Sequence, residues 1–256
     1  MILIKTMKKK HLASTLKEGR FCFNVPVVFN NGVSLAAAQQ DVHDSHFPLN
    51  VLHPMIAPIV YEDENGPHYG EIIELADKAT MHLQTFLSAH TPLCSFRLVK
   101  EQEFVYKYGV AFFRLGNLVD RIKTDFQHDT YIIVFDAETL IDRIAQNFRL
   151  CARDVHYGPI DEKFKEYTGK VGYDQAAMFI KDEAFEWQQE FRIIIKPNEL
   201  QDKLFVQVGS IEDIAYGGDL EQLRYGFMFC NDMKQRDEVN RMLESREITF
   251  ESIFEI

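Results

Sequence analysis

The sequence predicts an α+β fold, a single domain over residues 1–256 with mixed or antiparallel sheets and flanking helices. Three observations lead there. Apolar residues alternate with period two in several short runs and recur at helical spacing in others, so both element types are required. In the second half, strand-like runs follow one another without intervening helices, which disfavours a doubly wound parallel sheet. No linker of Pro, Ser or Gly and no fixed-period repeat divides the chain, and 256 residues at 46% hydrophobic suffice for a core without staples.

The elements follow in order. Residues 2–6 read as a strand and 8–18 as a helix with Leu12, Ala13 and Leu16 on one face, closed by Gly19 at the C-cap. Phe21, Phe23, Val25 and Val27 alternate along a second strand over 20–29, whose far end Pro26 restricts to an edge or bulge. Residues 30–54 read as a long surface loop around a short helix at 34–40, with the composition of a lid over a ligand site. Residues 55–61 form a strand and 62–66 a turn. Ile72, Ile73, Leu75, Ala76, Ala79, Leu83, Phe86 and Leu87 predict a helix over 71–89. Strands are expected at 93–98, 130–135, 152–157, 191–195, 204–208, 211–216 and 248–256, with a turn at Gly217-Gly218. Helices are expected at 115–126, 137–148, 160–181 (broken at 169–172) and 233–245.

Charge and cysteine content narrow the function. With 28 basic and 39 acidic side chains the net charge is −11, so non-specific coating of nucleic acid is not expected. Lys5, Lys8, Lys9, Lys10, Lys17 and Arg20 cluster near the start, and a solvated helix face accounts for them better than a phosphate site. Cys22, Cys94, Cys151 and Cys230 are widely spaced, which excludes the usual zinc spacing and argues against a disulfide framework. No run approaches the length of a membrane span and no leader pattern stands at Met1, so the expected location is the cytoplasm.

Gly-rich phosphate loops, a nucleophile elbow and a His-Glu-x-x-His helix are all missing. Asp41, His43, Asp44, His46 and His53 lack a fixed ligand pattern, so no metal site is assigned. The sharpest motif is Glu186-Trp187-Gln188-Gln189-Glu190-Phe191-Arg192, an amide and a carboxylate two apart at the start of an apolar strand. Positions i and i+2 of an extended chain share a face, so Gln188 and Glu190 are expected to address one ligand. A structural pair between Glu190 and Arg192 is the plainer reading of the same residues. A metal-dependent nuclease is a further alternative, with Glu190, Asp136, Glu138, Asp182 and Glu183 as its carboxylates.

The order of segments resembles a bacterial and phage family known as a domain of unknown function. The matching segments are Arg20-Phe21-Cys22-Phe23-Asn24-Val25-Pro26 with Phe29-Asn30, Cys94-Ser95-Phe96, Ile133-Val134-Phe135-Asp136, Val155-His156-Tyr157, the Trp187–Ile193 motif, and residues 211–217. Gln-x-Glu before a strand, after a strand–helix–strand opening, is also similar to ADP-ribosyltransferases, which implies NAD as cofactor and a split sheet. That resemblance implies an NAD-dependent ADP-ribosyltransferase or NAD-glycohydrolase, a toxin or antiviral factor of phage–bacterium conflict acting on a protein or nucleic-acid acceptor. Glu190 would stabilise the oxocarbenium-like transition state and Gln188 orient the acceptor. Lys5 or His11 would meet the diphosphate, Asn24 would be a polar contact on the second strand, and Phe23, Tyr106 or Tyr108 would stack on nicotinamide. Glu190 is then expected to be far more sensitive to substitution than Glu183 or Glu186. An alternative of another class is a non-catalytic acidic protein, an inhibitor or sensor that binds a protein partner.

Overall fold

Alternation along the first strand sets the architecture. A computed structural model of the chain describes residues 1–27, 47–51, 55–63, 66–76, 79–83, 86–196, 203–230 and 232–254. Its eight-stranded central sheet comprises β1 (Ile2–Met7), β2 (Arg20–Asn24), β3 (Leu93–Val99), β4 (Thr130–Val134), β5 (Leu150–Asp154), β6 (Glu190–Ile195), β7 (Lys203–Gln207) and β8 (Ala215–Asp219). The order is β5-β6-β3-β1-β4-β8, with every neighbouring pair antiparallel. Leu3, Ile132 and Val134 enter one core cluster, whereas Ile4, Tyr131 and Ile133 enter another on the opposite face. Period-two side-chain direction thus gives a sheet buried on both faces.

Helices cover both faces. Helix α1 (Lys9–Glu18) lays Leu12 and Leu16 on the first cluster and ends at Gly19, whose φ of 58° is left-handed. A Cβ there would lie 2.1 Å from the Gly209 carbonyl oxygen, so glycine is required by space as well as by φ. Helix α2 (Leu118–Phe126) buries Val119 and Ile122 on the other face. Helix α3 (Ala137–Ala145) is N-capped by Asp136, whose carboxylate accepts from the Thr139 amide at 3.1 Å. Helix α4 (Glu162–Val171) packs Phe164 against Phe179, Leu93 and Ile194 near the β6 side of the sheet.

The sheet forks at its middle. Strand β3 pairs with β1 only from Ile2↔Val99 to Ile4↔Arg97, and at its other end Leu93 pairs with Asn24 of β2. Strand β2 in turn pairs with β7. The two small sheets expected from the resemblance are therefore joined at the base as branches of one sheet. Lys5 of β1 spans the opening, donating from Nζ to the Ser95 carbonyl oxygen of β3 at 2.9 Å.

Several expected elements are different. The helix expected over 71–89 is replaced by strand Gly66–Ala76, paired antiparallel with Met55–Asp63, and strand Ala79–Leu83, paired with Phe47–Val51. Among the described residues of that span, only Phe86–His90 is helical. Met55–Asp63 pairs alongside β-branched Ile72 and Ile73, and cross-strand pairing overrides helical spacing. Gly217 and Gly218 are not a turn but lie in β8 opposite Ile132 and Tyr131. A Cβ on Gly217 would stand 2.8 Å from both Leu12 Cδ1 and the Tyr131 carbonyl oxygen, so the glycine admits α1 to the sheet. Within 211–216 only Ala215 and Tyr216 are strand, and 212–214 form a turn. The last expected strand is helix Phe250–Phe254. Thr249 and Ser252 cap it reciprocally, each backbone amide donating to the other's hydroxyl at 3.0 and 3.1 Å. The expected loop at 30–54 lies largely outside the described residues, and Phe47–Val51 within it is a strand.

Candidate functional site

The fork opens into a cavity of about 190 Å³. Strand β1 contributes Lys5 and Thr6, β2 contributes Cys22 and Asn24, and β3 contributes Ser95 and Arg97. The segment ahead of β6 adds Lys181, Trp187 and Gln188, and β6 begins with Glu190. Helix α2 supplies an apolar wall of Leu118, Ile122 and Phe126, next to His128.

Glu190 is the centre of a buried ion cluster. Arg192 Nη2 donates to Glu190 Oε2 at 2.9 Å and Arg192 Nε at 3.3 Å, while Arg192 Nη1 holds the Met178 carbonyl at 2.8 Å. Lys181 Nζ lies 3.4 Å from the same carboxylate oxygen and donates to Gln188 Oε1 at 2.9 Å. Burial pushes the Glu190 carboxyl up, but the Arg192 and Lys181 charges outweigh it, and the group is held well below the usual carboxylate range. The backbone is clamped as well, since the Glu190 amide donates to Tyr157 Oη at 2.7 Å and the Val155 amide to the Glu190 carbonyl at 2.9 Å. Burial, then the neighbouring Glu190 charge, raise the Tyr157 phenol.

Gln188 and Glu190 do meet, though not through an extended chain. Gln188 closes the 3₁₀ turn Glu183–Gln188, and Gln189 has a left-handed φ of 46° before β6 starts. The two side chains converge because Lys181 bonds both. Glu183 and Glu186 are exposed on that turn.

On the other side of the fork, Lys5 has no carboxylate within ion-pair distance among the described residues. Its ammonium lies 5.1 Å from the Phe96 ring centroid. Thr6 Oγ1 and His128 Nδ1 are 2.8 Å apart, and the imidazole stacks on Phe126 at 5.7 Å and 21°. Burial, reinforced by the Lys5 and Lys8 charges, pushes His128 down to about 4, so it is neutral at pH 7. Arg97 donates from Nη1 to the Trp187 carbonyl at 2.7 Å and from Nη2 to Glu103, and its buried Nε has no partner.

Of the residues expected to bind cofactor, Lys5 and Asn24 border the same pocket as Glu190 and Gln188. Phe23 does not: with no exposed surface it belongs to the core, packed in the cluster with Phe21 and Phe96. Tyr106 and Tyr108 are exposed in the hairpin of Val105–Lys107 with Val110–Phe113, away from the pocket lining. His11 is exposed on α1 outside the lining, near enough to act electrostatically on His128. Asp136 and Asp182 are consumed as helix caps. Among the described residues no group of three His, Cys, Asp or Glu side chains could hold a metal, and Asp41, His43, Asp44, His46 and His53 lie outside those residues. No described helix is long and apolar enough to cross a membrane.

Lys181, Arg97 and His128 were not singled out by the sequence. A signal did exist for Arg97 and Arg192, each a lone charge inside an apolar strand run, which is an uncommon place for an arginine without a partner. Compared with known protein families, curated proteins and solved structures, the chain matches none.

Proposed function

We propose that this chain binds a small organic anion in the pocket at the sheet fork. The observation that carries the reading is Lys5, a half-buried ammonium that faces the cavity with no carboxylate beside it among the described residues. Its surroundings reinforce it. Among the described residues, Lys5, Arg97 and Lys181 line the pocket and Arg192 flanks it, with Glu190 and Glu103 as carboxylate partners of the last three, in a chain whose overall charge is −11. A positive recess in an acidic surface concentrates anions locally and repels them elsewhere. Asn24 and neutral His128 add uncharged hydrogen-bonding groups that would fix the anion's orientation. Thermal unfolding of the full chain with and without pyrophosphate, ADP and NAD tests this. A ligand that binds only the folded state raises the midpoint. A rise with at least one of these anions, abolished in Lys5→Met, is expected; no rise with any of them contradicts the reading.

ADP-ribosyl transfer from NAD is a second reading, favoured by one observation: Gln188, Glu190, Lys5 and Asn24 border one pocket. NAD is itself an organic anion, and its diphosphate would suit Lys5. Against it stands the charge balance at Glu190. A developing oxocarbenium is stabilised by a carboxylate whose charge is uncompensated, whereas Arg192 and Lys181 both neutralise this one. Wild-type protein that consumes NAD and loses this activity in Gln188→Ala would favour this reading; absence of turnover removes it.

A further inference from the structure

We infer that the anion taken by this pocket carries an aromatic ring, so that charge and ring occupy opposite sides of the fork; this rests on the anion-binding reading above. The pocket is two-sided. Its strand side is polar, with Lys5, Asn24 and Ser95 from three separate strands. Its helix side is apolar, formed by Leu118, Ile122 and Phe126 of α2 together with Trp187. A bare inorganic anion would use only the strand side and leave the helix side wetted, where burial of apolar surface would otherwise favour binding.

The rings argue for an aromatic rather than an alkyl body. Phe126 lies between two other rings, stacked with His128 at 5.7 Å and tilted against Trp187 at 5.9 Å and 48°. Arg121 holds the indole from its own side, 3.9 Å from the ring centroid. His128 is in turn bonded to Thr6. These side chains are fixed by one another before any ligand arrives, and a wall of fixed rings favours a planar partner that stacks or meets them edge-on.

Calorimetric titration of the full chain with matched probes tests the inference: ADP against pyrophosphate, and phenyl phosphate against inorganic phosphate. Each pair shares its charged head; phenyl phosphate adds the ring alone, and ADP adds a ribose with its ring. At least tenfold tighter binding of the ring-bearing member is expected in one or both pairs. Phe126→Leu should lose most of that advantage while binding the bare head as wild type does, and Lys5→Met should weaken both members. Equal affinities within both pairs, or equal losses for both members in Phe126→Leu, overturn the inference while leaving anion binding intact. If no probe binds, the anion reading fails and the inference with it. The wild-type comparison decides the matter alone should Phe126→Leu not fold.

Discussion

Two ion clusters of similar make-up sit in opposite environments. Around Glu190, the carboxylate, Arg192 and Lys181 expose 13%, 0% and 5% of their side chains. Around Arg224, the side chains of Arg224, Asp120, Glu221 and Lys123 expose 26%, 64%, 37% and 40%. Hydrogen bonds from Arg224 and Lys123 pull Glu221 below the usual range, as paired charges pull Glu190 below it. A lowered carboxylate is therefore common to both and distinguishes neither. Burial distinguishes them. In water a partner's loss is made good by solvent and salt. In the interior the remaining charge has no substitute, so breaking the pair is costly even where the intact pair adds little net stability.

Removing the central charge of the buried cluster should have the largest effect. Glu190→Gln removes the buried carboxylate that Arg192 and Lys181 share and is expected to cost about 3–5 kcal/mol. For a chain of this size that corresponds to a fall of about 6–20 °C in the unfolding midpoint. Differential scanning calorimetry of the variant checks it, and a midpoint within a degree or two of wild type would mean that the cluster does not depend on this carboxylate. Glu183→Gln and Glu186→Gln, exposed on the preceding turn, should leave the midpoint nearly unchanged.

Acid titration should separate the clusters next. Glu190 is depressed in the folded state, so its stabilising contribution is present above the unfolded-state value of about 4.3 and is lost as pH falls through the lower folded value. His128 adds to the acid limb: the unfolded chain takes up its proton from about pH 6.5, before the folded chain does near about 4, so stability falls over that interval. Denaturant titrations at successive pH values should show both losses in wild type, the lower one reduced in Glu190→Gln. In about 1 M salt, where the screening length is about 3 Å, the buried contribution should persist.

The smallest effect is expected at the exposed cluster. Glu221→Gln should shift the midpoint far less than Glu190→Gln, and the shift should vanish at high salt. A shift as large as that of Glu190→Gln would show that exposure is a poor guide to the worth of an ion pair in this chain.

The fold was legible where local pattern and tertiary demand agree. Alternation along 130–135, Asp136 as a cap and Gly19 as a helix end each have a local cause. It was illegible where a distant partner decides. Ile72 and Ile73 satisfy helical spacing until the segment at 55–63 pairs with them. Gly217 reads as a turn until Leu12 of α1 is seen lying over it. Thr249 and Ser252 show their capping geometry only once Ile248 and Ile253 are packed against Val239. At the site, Glu190 and Gln188 stood out because a motif is local, as did Lys5 on the opening strand. Lys181 and His128 did not, because their importance comes from the strands and helices folded against them.

The central claim is that Glu190 restrains the cations of a pocket built for anions and does not itself meet the ligand's reacting centre. Pyrophosphate binding to wild type and Glu190→Gln, measured by calorimetric titration at a temperature where both are folded, tests it most directly. With the carboxylate gone, one negative charge beside Lys181 and Arg192 is lost and the pocket becomes more positive. The variant is then predicted to bind pyrophosphate several-fold more tightly than wild type. Weaker binding by the variant would contradict the account and return Glu190 to the role of a ligand contact.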